Sequence, residues 1–340
     1  HISFRRKLFK DKIILITGGS GFLGQALTKR LLKFNPKAIR IFSRDESKQE
    51  LMEEHFQDKR LRFFIGDIRD KERLKRAMKD VDIVIHTAAL KRVPIAEYNP
   101  FEFIKTNIHG SQNVIDVCMD EKVKICLGIS TDKSVSPNNL YGATKLCMEK
   151  LFVAASYFTS QKDTIFTCVR YGNVLGSNGS VVPKFIQQIE NNKTITVTDD
   201  SMTRFNITID ESLDLIFSAL KLAKGSEIFI PKLKAYRLKD LVEALRQVSP
   251  KPFKIKKISI RMGEKIDELL LNKYEAPFSI ESKGLYVLLP PNYETFENVR
   301  KLYPNSKLLK FDTYSSSQSP LLSNSELKNL LIKNKLVPKF

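Results

Sequence analysis

Apolar residues alternate along the first half of the chain between two patterns. Short runs rich in isoleucine and valine, such as 13–16 and 83–85, are separated by longer segments in which apolar residues recur every three or four positions. Runs of the first kind predict strands and segments of the second kind predict amphipathic helices. From residue 12 to 169 this alternation predicts an α/β fold with a doubly wound parallel sheet, the Rossmann arrangement. Near-continuous apolarity in several strands indicates that helices cover both faces of the sheet.

Six strands and five helices are predicted in this region. The strands are 12–17, 38–42, 61–65, 83–86, 125–129 and 164–169, and the helices are 21–33, 47–56, 70–78, 100–119 and 141–158. Beyond Arg170 the alternation fails, and we expect strands at 194–198, 227–230 and 254–260 with helices at 183–190, 212–224 and 238–248. The pattern therefore predicts a Rossmann domain over 10–172, a smaller α/β substrate-binding portion over 173–280 that partly interleaves with the sheet, and a C-terminal extension over 281–340. Ser323 and Glu326, three residues apart, predict the cap of a helix in this extension.

The chain is basic, with 57 Lys and Arg against 38 Asp and Glu among 340 residues, a net charge of +19. Such a surplus could serve a nucleic acid, a membrane surface or a phosphorylated substrate. The basic residues cluster over 5–12 and over 251–257 and are spread thinly elsewhere, without the arginine-rich stripe that binds a duplex. We therefore expect a solvated surface and no nucleic-acid partner.

Composition also bears on where in the cell the protein works and on whether it binds a metal. No stretch approaches the roughly 20 apolar residues of a membrane span, and no secretory signal is evident near the start of the sequence. The four cysteines have no CxxC spacing, so neither structural zinc nor a disulfide framework is expected, and no metal site is predicted. These features favour a cytoplasmic protein.

A glycine-rich segment joins the first predicted strand to the first predicted helix. It reads Thr17-Gly18-Gly19-Ser20-Gly21-Phe22-Leu23-Gly24. Glycines allow a tight turn and close approach of a pyrophosphate, which the helix N-terminus then binds through free N–H groups. A plain glycine-rich turn is the alternative, but the βα units that follow favour dinucleotide binding.

The end of the second strand bears on which dinucleotide is bound. An NAD site usually carries an acidic residue there, whereas this chain has Ser43 and Arg44, with Lys48 one turn later. Arg44 suits a 2′-phosphate, so NADP is favoured over NAD, although a solvated arginine would explain the residue equally simply. Asp67, after the third strand, could accept a hydrogen bond from adenine or could cap the next helix.

Tyr141 and Lys145 lie four residues apart, on one face of a predicted helix. An ammonium beside a phenol lowers the pKa of the phenol, which could then accept a hydroxyl proton while hydride leaves the same carbon. A YxxxK spacing is a weak signal by itself. It gains weight because it follows the fifth strand of the predicted fold and the residues Thr131, Asp132 and Lys133.

These residues resemble the extended short-chain dehydrogenase/reductases that act on nucleotide sugars, and among them the inverting UDP-N-acetylglucosamine 4,6-dehydratases. The resemblance covers about residues 10–280. It is carried by TGGSGFLG at 17–24, FSRDESKQ at 42–49, FFIGDIRD at 63–70, AALKRVPIAEYNP at 88–100, STDKSVSPNNLYGATK at 130–145, RYGNVLGSNGSVVP at 170–183, MTRF at 202–205 and RMGEK at 261–265.

The resemblance implies a set of catalytic roles. Tyr141 and Lys145 would form the oxidising pair, and Thr131 would hydrogen-bond the sugar 4-hydroxyl. Asp132 would protonate the departing 6-hydroxyl and Lys133 would take the C5 proton. Retaining dehydratases have Glu where this chain has Lys133, and epimerases normally lack such a pair, so dehydration with inversion at C5 is implied. To act as a base, Lys133 is expected to need a lowered pKa, from burial or from nearby positive charge. An exposed turn pair is the alternative for Asp132 and Lys133.

Binding residues follow from the same resemblance and from the motifs above. The predicted cofactor-binding residues, for NADP regenerated each turnover, are Gly18, Gly19, Ser20, Gly21, Phe22, Leu23, Ser43, Arg44, Asp45, Lys48, Asp67, Ile68, Ala88, Ala89, Lys91, Tyr141 and Lys145. The predicted UDP-sugar-binding residues are Lys91, Asn173, Val182, Thr198, Met202, Arg204, Arg261 and Glu264. Each charged one could instead be a surface ion-pair partner.

Three further expectations concern function and assembly. A nucleotide-sugar 4-epimerase is the alternative enzyme, since it shares every step up to the keto intermediate. A non-catalytic basic binding protein is the third possibility. Helices 100–119 and 141–158 commonly pair across a dimer axis in this superfamily, so a homodimer or larger oligomer is expected.

Overall fold

The computed structural model describes residues 7–158, 164–177 and 180–340. A ten-stranded sheet forms the centre of the protein. Its strand order is β15-β13-β14-β9-β6-β5-β4-β1-β2-β3. The seven strands from β9 to β3 are mutually parallel, and β14, β13 and β15 add to them in antiparallel pairing. The order 3-2-1-4-5-6 within this sheet is that of a Rossmann fold, so the predicted fold class is confirmed.

The strands, in chain order, are β1 (Ile13–Thr17), β2 (Ala38–Ser43), β3 (Leu61–Ile65), β4 (Ile83–His86), β5 (Ile125–Thr131), β6 (Ile165–Tyr171), β7 (Ile195–Val197), β8 (Thr203–Phe205), β9 (Ile228–Pro231), β10 (Ala235–Arg237), β11 (Ile255–Lys257), β12 (Leu269–Leu271), β13 (Ser279–Ser282), β14 (Leu285–Leu288), β15 (Lys307–Leu308) and β16 (Tyr314–Ser315).

The α-helices are α1 (Phe22–Leu31), α2 (Glu46–Phe56), α3 (Lys71–Met78), α4 (Val93–Tyr98), α5 (Pro100–Phe103), α6 (Gly110–Asp120), α7 (Leu140–Phe158), α8 (Val181–Glu190), α9 (Ile209–Leu222), α10 (Leu238–Val248), α11 (Tyr293–Arg300) and α12 (Asn324–Lys333). A π-helix, Ile104–His109, joins α5 to α6, and a 3₁₀ turn, Asp132–Ser134, follows β5.

Burial explains why the first six strands could be predicted. In β1, Ile14, Leu15 and Ile16 are fully buried, because β2 and β4 flank the strand and helices cover both faces. All six predicted strands are confirmed to within two residues at each end. The single helix predicted over 100–119 is wrong: the structure divides it into α5, the π-helix and α6.

The C-terminal region contributes to the main sheet, which the sequence pattern did not indicate. β14 pairs with β9, and β13 lies between β14 and β15. The predicted division at residues 172 and 280 stays a prediction. Ser323 caps α12 as predicted, since its side chain accepts a hydrogen bond from the N–H of Glu326.

A second, smaller apolar cluster lies beside the sheet. It is formed by α8, α10, α12 and the strands β7 and β10, with Phe185, Leu241 and Leu327 among its buried side chains. Two short pairs, β11 with β7 and β10 with β8, frame it. Among the helices in the described ranges, none has both the length and the apolar composition needed to cross a membrane.

Candidate active site

The turn between β1 and α1 has the shape of a phosphate cradle. Gly18 has a φ of +64°, and a Cβ atom there would lie 2.7 Å from Thr87 Oγ1 and 2.9 Å from the backbone nitrogen of Ala88. A Cβ at Gly24 would overlap the carbonyl of Gly19, so α1 can pack against the turn only with glycine there. Gly21 precedes α1 and makes no side-chain cap, so the first N–H groups of α1 remain available to an anion.

Side chains at the ends of β1 and β2 hold this cradle. Ser20 Oγ donates to Ser43 Oγ at 2.9 Å, and Gln49 Nε2 donates to the same oxygen at 2.9 Å. Thr17 Oγ1 accepts the N–H of Ala88 at 3.2 Å. These bonds bring the predicted residues Ser20, Ser43 and Ala88 together at the carboxyl edge of the sheet, where a dinucleotide binds in this fold.

The remaining predicted cofactor residues surround the same edge. Ile68 is buried, Leu23, Asp67, Ala88 and Ala89 are half-buried, Phe22 is 42% exposed, and Arg44, Asp45, Lys48 and Lys91 are exposed. Although Lys91 as a whole is exposed, partial desolvation of its amino group by the surrounding protein, followed by the charges of Lys48 and Arg92, lowers its pKa. This concentration of positive charge fits an anionic ligand such as a dinucleotide.

Asp45 and Asp67 make local contacts as well. Asp45 is the N-cap of α2, accepting the N–H of Lys48 at 3.0 Å. Asp67 accepts the N–H of Arg69 at 2.9 Å, while Asp70 caps α3, so the suggestion that Asp67 caps that helix is wrong. Burial opposes ionisation of Asp67, but hydrogen bonds from Arg69 and the charge of Arg44 outweigh it and lower its pKa.

The 3₁₀ turn after β5 carries Asp132 and Lys133. Thr131 caps it by accepting the N–H of Lys133 at 3.2 Å, and Ser134 Oγ donates to the Thr131 carbonyl at 2.7 Å. Asp132 is buried, and its Oδ2 lies against Gly172, where any Cβ would displace it. The alternative of an exposed turn pair is therefore wrong.

Helix α7 packs directly on this turn. Asn139 Oδ1 accepts the N–H of Gly142 at 2.8 Å in its first turn. A Cβ at Gly142 would overlap the carbonyl of Lys133, so glycine is what allows the helix to contact the turn. The approach places Tyr141 near enough to Thr131 for the Thr131 hydroxyl to favour ionisation of the phenol.

The ionisation of Tyr141 and Lys145 differs from the sequence-based expectation. Burial raises the pKa of Tyr141 to about 12, while Lys133 and the hydrogen bond with Thr131 act to lower it. The expected lowering of this pKa by Lys145 is not observed. Burial, with help from Lys91, lowers the pKa of Lys145 to about 8 against the opposing charges of Cys168 and Glu149, and its Nζ lies 3.4 Å from Met148 Sδ.

A buried cluster of charges surrounds Lys133. Its Nζ lies 3.3 Å from Asp132 Oδ1 and 4.0 Å from Glu268 Oε1, and Arg204 Nε lies 3.5 Å from the same Glu268 oxygen. Burial acts to lower the pKa of Lys133, but Asp132 and Glu268 outweigh it, so the pKa is raised. The expectation of a lowered pKa is therefore wrong for the protein by itself, because the charge of Asp132, with that of Glu268 added, outweighs burial.

The segment 261–268 closes the site on the substrate side. Arg261 and Glu264 form one turn, in which Glu264 Oε2 accepts the N–H of Arg261 at 2.9 Å. Lys265 Nζ donates to the carbonyl of Val135 at 2.6 Å, which joins this segment to the catalytic turn. Lys184 on α8, which was not predicted, is near enough that Arg261 lowers its pKa, after the larger effect of burial.

The other predicted substrate residues lie around this segment in different environments. Asn173 is exposed after β6, Val182 and Met202 are buried in the smaller apolar cluster, and Thr198 Oγ1 lies 3.4 Å from Met202 Sδ. The Arg204 guanidinium donates to the carbonyls of Thr203, Ile266 and Lys265. In this conformation it binds protein atoms, and its contact with phosphate stays a prediction.

Sequence reasoning missed a buried ion cluster behind the site. Arg170 is fully buried and pairs with Glu149 at 2.6 Å and with Glu275 at 3.0 Å. Ser130 Oγ and Ser134 Oγ donate to Glu149 Oε2 at 2.6 and 2.9 Å, so the cluster anchors both ends of the catalytic turn. An arginine within an otherwise apolar strand was the available signal, since a buried charge needs a partner.

Similar proteins share this architecture along most of the chain. Residues 14–289 match a family described as Polysaccharide biosynthesis protein. A UDP-N-acetylglucosamine 4,6-dehydratase (inverting) from Campylobacter jejuni is 46% identical over 332 residues, covering 95% of this chain and 98% of the relative. A UDP-glucose 4-epimerase from Rickettsia bellii is 39% identical over 330 residues, covering 96% of each. The X-ray structure of Pen from Bacillus thuringiensis superposes with a TM-score of 0.89 at 42% identity, covering 97% of this chain and 99% of that one.

Proposed function

The chain belongs to the polysaccharide biosynthesis protein family, and within it we propose that the protein is an inverting UDP-N-acetylglucosamine 4,6-dehydratase. It converts UDP-N-acetylglucosamine to UDP-2-acetamido-2,6-dideoxy-β-L-arabino-hexos-4-ulose with loss of water. The observation that carries the proposal is the ion pair of the buried Asp132 with the half-buried Lys133, beside Tyr141 at the carboxyl edge of the sheet. The similarity to the Campylobacter jejuni dehydratase supports the same activity.

The site can provide an acid and a base for the elimination. Tyr141, beside Thr131, would take the proton of the 4-hydroxyl when its phenol is ionised, and a bound nicotinamide dinucleotide would supply the acceptor for the C4 hydride and its return to C6 after water has left. A ketone at C4 makes the C5 proton acidic, so an amine can remove it. Lys133 is the amine in reach of Asp132, and Asp132 is the acid for the departing 6-hydroxyl.

The raised pKa of Lys133 makes the ion pair with Asp132 the resting form, and the contact between the two groups gives a route to the active form. Transfer of one proton from Lys133 Nζ to Asp132 Oδ1, which lie 3.3 Å apart, leaves a neutral amine and a protonated carboxyl. Both groups then have the protonation state that the elimination needs, without exchange with solvent. After Lys133 takes the C5 proton and Asp132 gives up its own, the same transfer restores them.

An epimerase is the second candidate, because the Rickettsia bellii relative bears that name. Epimerisation at C4 needs Tyr141 but has no task for a buried Asp132 and Lys133. Incubation with UDP-N-acetylglucosamine, followed by mass and proton NMR analysis, separates the two. Dehydration gives a C6 methyl signal and loss of one water per sugar; a product of unchanged mass, epimeric at C4, would overturn the dehydratase proposal.

The cofactor is proposed to be NADP, on the strength of Arg44 at the end of β2. Replacing Arg44 with alanine is expected to weaken NADP binding by about 10-fold to 100-fold, the effect of losing a hydrogen bond between charged groups. NAD, which lacks the 2′-phosphate, should bind as before. Titration calorimetry with both dinucleotides measures this, with Arg62→Ala on β3 as the control. Equal weakening of both dinucleotides would contradict the assignment.

The protein is proposed to work in the cytoplasm as a homodimer or larger oligomer that pairs through the helices over 100–119 and 141–158. Tyr98 and Phe101, at the start of this helical region, are 88% and 57% exposed, and Ile95 is 46% exposed. Large exposed apolar side chains close together favour an interface. Light scattering during gel filtration gives the oligomeric state, and a monomer at working concentrations would contradict this part of the proposal.

A further inference from the structure

Glu268 is a buried carboxylate that the roles above leave unused. Only 4% of the residue is exposed, and it precedes β12 in the segment that closes the site. Its backbone N–H donates to Ser316 Oγ at 2.9 Å and its carbonyl accepts the N–H of Ser316 at 2.9 Å. Ser316 Oγ also lies 2.7 Å from Thr203 Oγ1. The C-terminal extension and β8 therefore fix the position of Glu268.

The side chain of Glu268 faces the reacting groups. Oε1 lies 4.0 Å from Lys133 Nζ and 3.5 Å from Arg204 Nε. Oε2 is buried and has no hydrogen-bond partner within residues 7–158, 164–177 and 180–340. A buried carboxylate oxygen without a partner is costly, so a site that keeps one has a use for its charge.

We propose that Glu268 is a positioning residue that acts through Lys133. Its carboxylate holds the Lys133 amino group beside Asp132, and it stabilises the ammonium that forms when Lys133 takes the C5 proton. In that step the C5–H bond breaks and an N–H bond forms on Lys133. Glu268 neither gains nor loses a proton and keeps its charge. The inference rests on the proposed dehydratase function and assigns a task to a residue 135 positions beyond Lys133 in the chain.

The charge balance of the cluster supports this role. Arg204 Nε pairs with Glu268 Oε1 at 3.5 Å, and the positive charge of Arg204 opposes an ammonium on Lys133. Without Glu268, Arg204 would lose this carboxylate partner, and its charge would act on Lys133 without the opposing charge of Glu268. Glu268 therefore offsets the charge of Arg204 when Lys133 becomes an ammonium.

Several charged and polar groups around Lys133 affect its pKa. Asp132 and Glu268 raise its pKa, Tyr141 acts in the same direction, and burial and Arg204 act against them. Lys265 and Tyr236 face the same cluster, since each is affected by Asp132, Lys133 and Glu268. Burial and Asp132 raise the pKa of Glu268, against Lys133, Arg204 and Lys265.

The test replaces Glu268 with glutamine, which keeps the shape and removes the charge. We expect dehydration, and exchange of the C5 hydrogen with deuterated solvent, to fall by about 10²-fold, the lower end of the effect of losing an acid–base group. Oxidation at C4 should proceed, because in the described part of the chain no hydrogen bond or ion pair joins Glu268 to Tyr141 or Thr131. Glu281→Gln, which removes a carboxylate 42% exposed in its pair with Lys232, is the control and should behave as wild type.

The pH dependence separates this role from a merely structural one. Removing the carboxylate lowers the pKa of Lys133, so the pH at which the C5 exchange rate stops rising should move down in Glu268→Gln. Glu268→Asp keeps the charge and should restore the wild-type pH dependence and part of the rate. Ser316→Ala, which loosens the backbone of Glu268, should lower the rate less and leave the pH dependence unchanged.

The outcomes are distinct from failure of the function itself. A wild-type enzyme that does not dehydrate UDP-N-acetylglucosamine would refute the proposed function. An active wild type with wild-type C5 exchange in Glu268→Gln, or a lowered rate with an unmoved pH dependence, would overturn the role of Glu268. If Glu268→Gln fails to fold, as judged by thermal melting, Glu268→Met, which also removes the charge, decides the question by the same two measurements, with Glu268→Asp as its charged control.

Discussion

Replacing Lys133 with alanine is expected to abolish water loss while leaving the fold and the oxidation at C4 in place. The Lys133 side chain is 20% exposed, and its amino group lies between two buried carboxylates at the edge of the site. Because no other amine in this cluster is as close to Asp132, the variant loses its base for C5. Loss of a positioned acid–base group lowers a rate by about 10²–10⁴-fold.

The order of the chemical steps makes this effect measurable apart from overall activity. Exchange of the C5 hydrogen with deuterated solvent should fall together with water loss in Lys133→Ala. Tyr141→Phe should act earlier, so that the keto intermediate does not form and no nicotinamide becomes reduced. A Lys133→Ala enzyme that exchanges C5 at the wild-type rate would show that another residue is the base, while the family assignment would stand.

A second variant separates the loss of the base from a loss of stability. Lys133→Ala leaves Asp132 and Glu268 without their shared cation, and unpaired buried charges destabilise a fold. Lys133→Met also lacks the amine but fills most of the same space. If both variants lose C5 exchange and both retain the wild-type melting temperature, the missing amine is the cause.

The parts of the fold that the sequence predicted are those determined by local patterns. β1 to β6 are buried on both faces, so each is a run of apolar residues with a turn on either side. β13, β14 and β15 join the same sheet at its edge, but they are two to four residues long and contain Ser279, Glu281 and Lys307. Their positions depend on the pairing of β14 with β9 and of β13 with β14 and β15, which a local pattern does not encode.

The candidate active site also has a part that a local motif predicts and a part that only the fold brings together. Thr131, Asp132, Lys133 and Tyr141 lie within eleven residues of sequence, so one motif was enough to predict that they act together. Glu268 is brought to them by the fold, through β12 and its partner β16. The pKa of Lys133 was expected to be lowered, because a base must be neutral, whereas Asp132 and Glu268 raise it.

Replacing Arg170 with methionine is expected to cause the largest loss of stability of any substitution considered. The guanidinium is fully buried and bonds Glu149, Glu275 and the carbonyl of Leu270 at 2.6 to 3.1 Å. Methionine fills much of the volume but leaves two carboxylates uncompensated in the core. Breaking a buried pair in this way costs about 3–5 kcal/mol, a large part of the ~5–15 kcal/mol by which a typical domain is stable.

The free energy of unfolding from urea titration measures this cost, and a triple variant tests its cause. Arg170→Met combined with Glu149→Gln and Glu275→Gln removes the charges together, so it should recover part of the loss, because a neutral cluster leaves no charge unpaired. Ser130 and Ser134 bond to Glu149, so the single variant should also lower dehydration through movement of the turn that carries Asp132 and Lys133. A loss below about 1 kcal/mol in Arg170→Met, the worth of an exposed ion pair, would mean that water reaches the two carboxylates and that the cluster does not hold the catalytic turn in place.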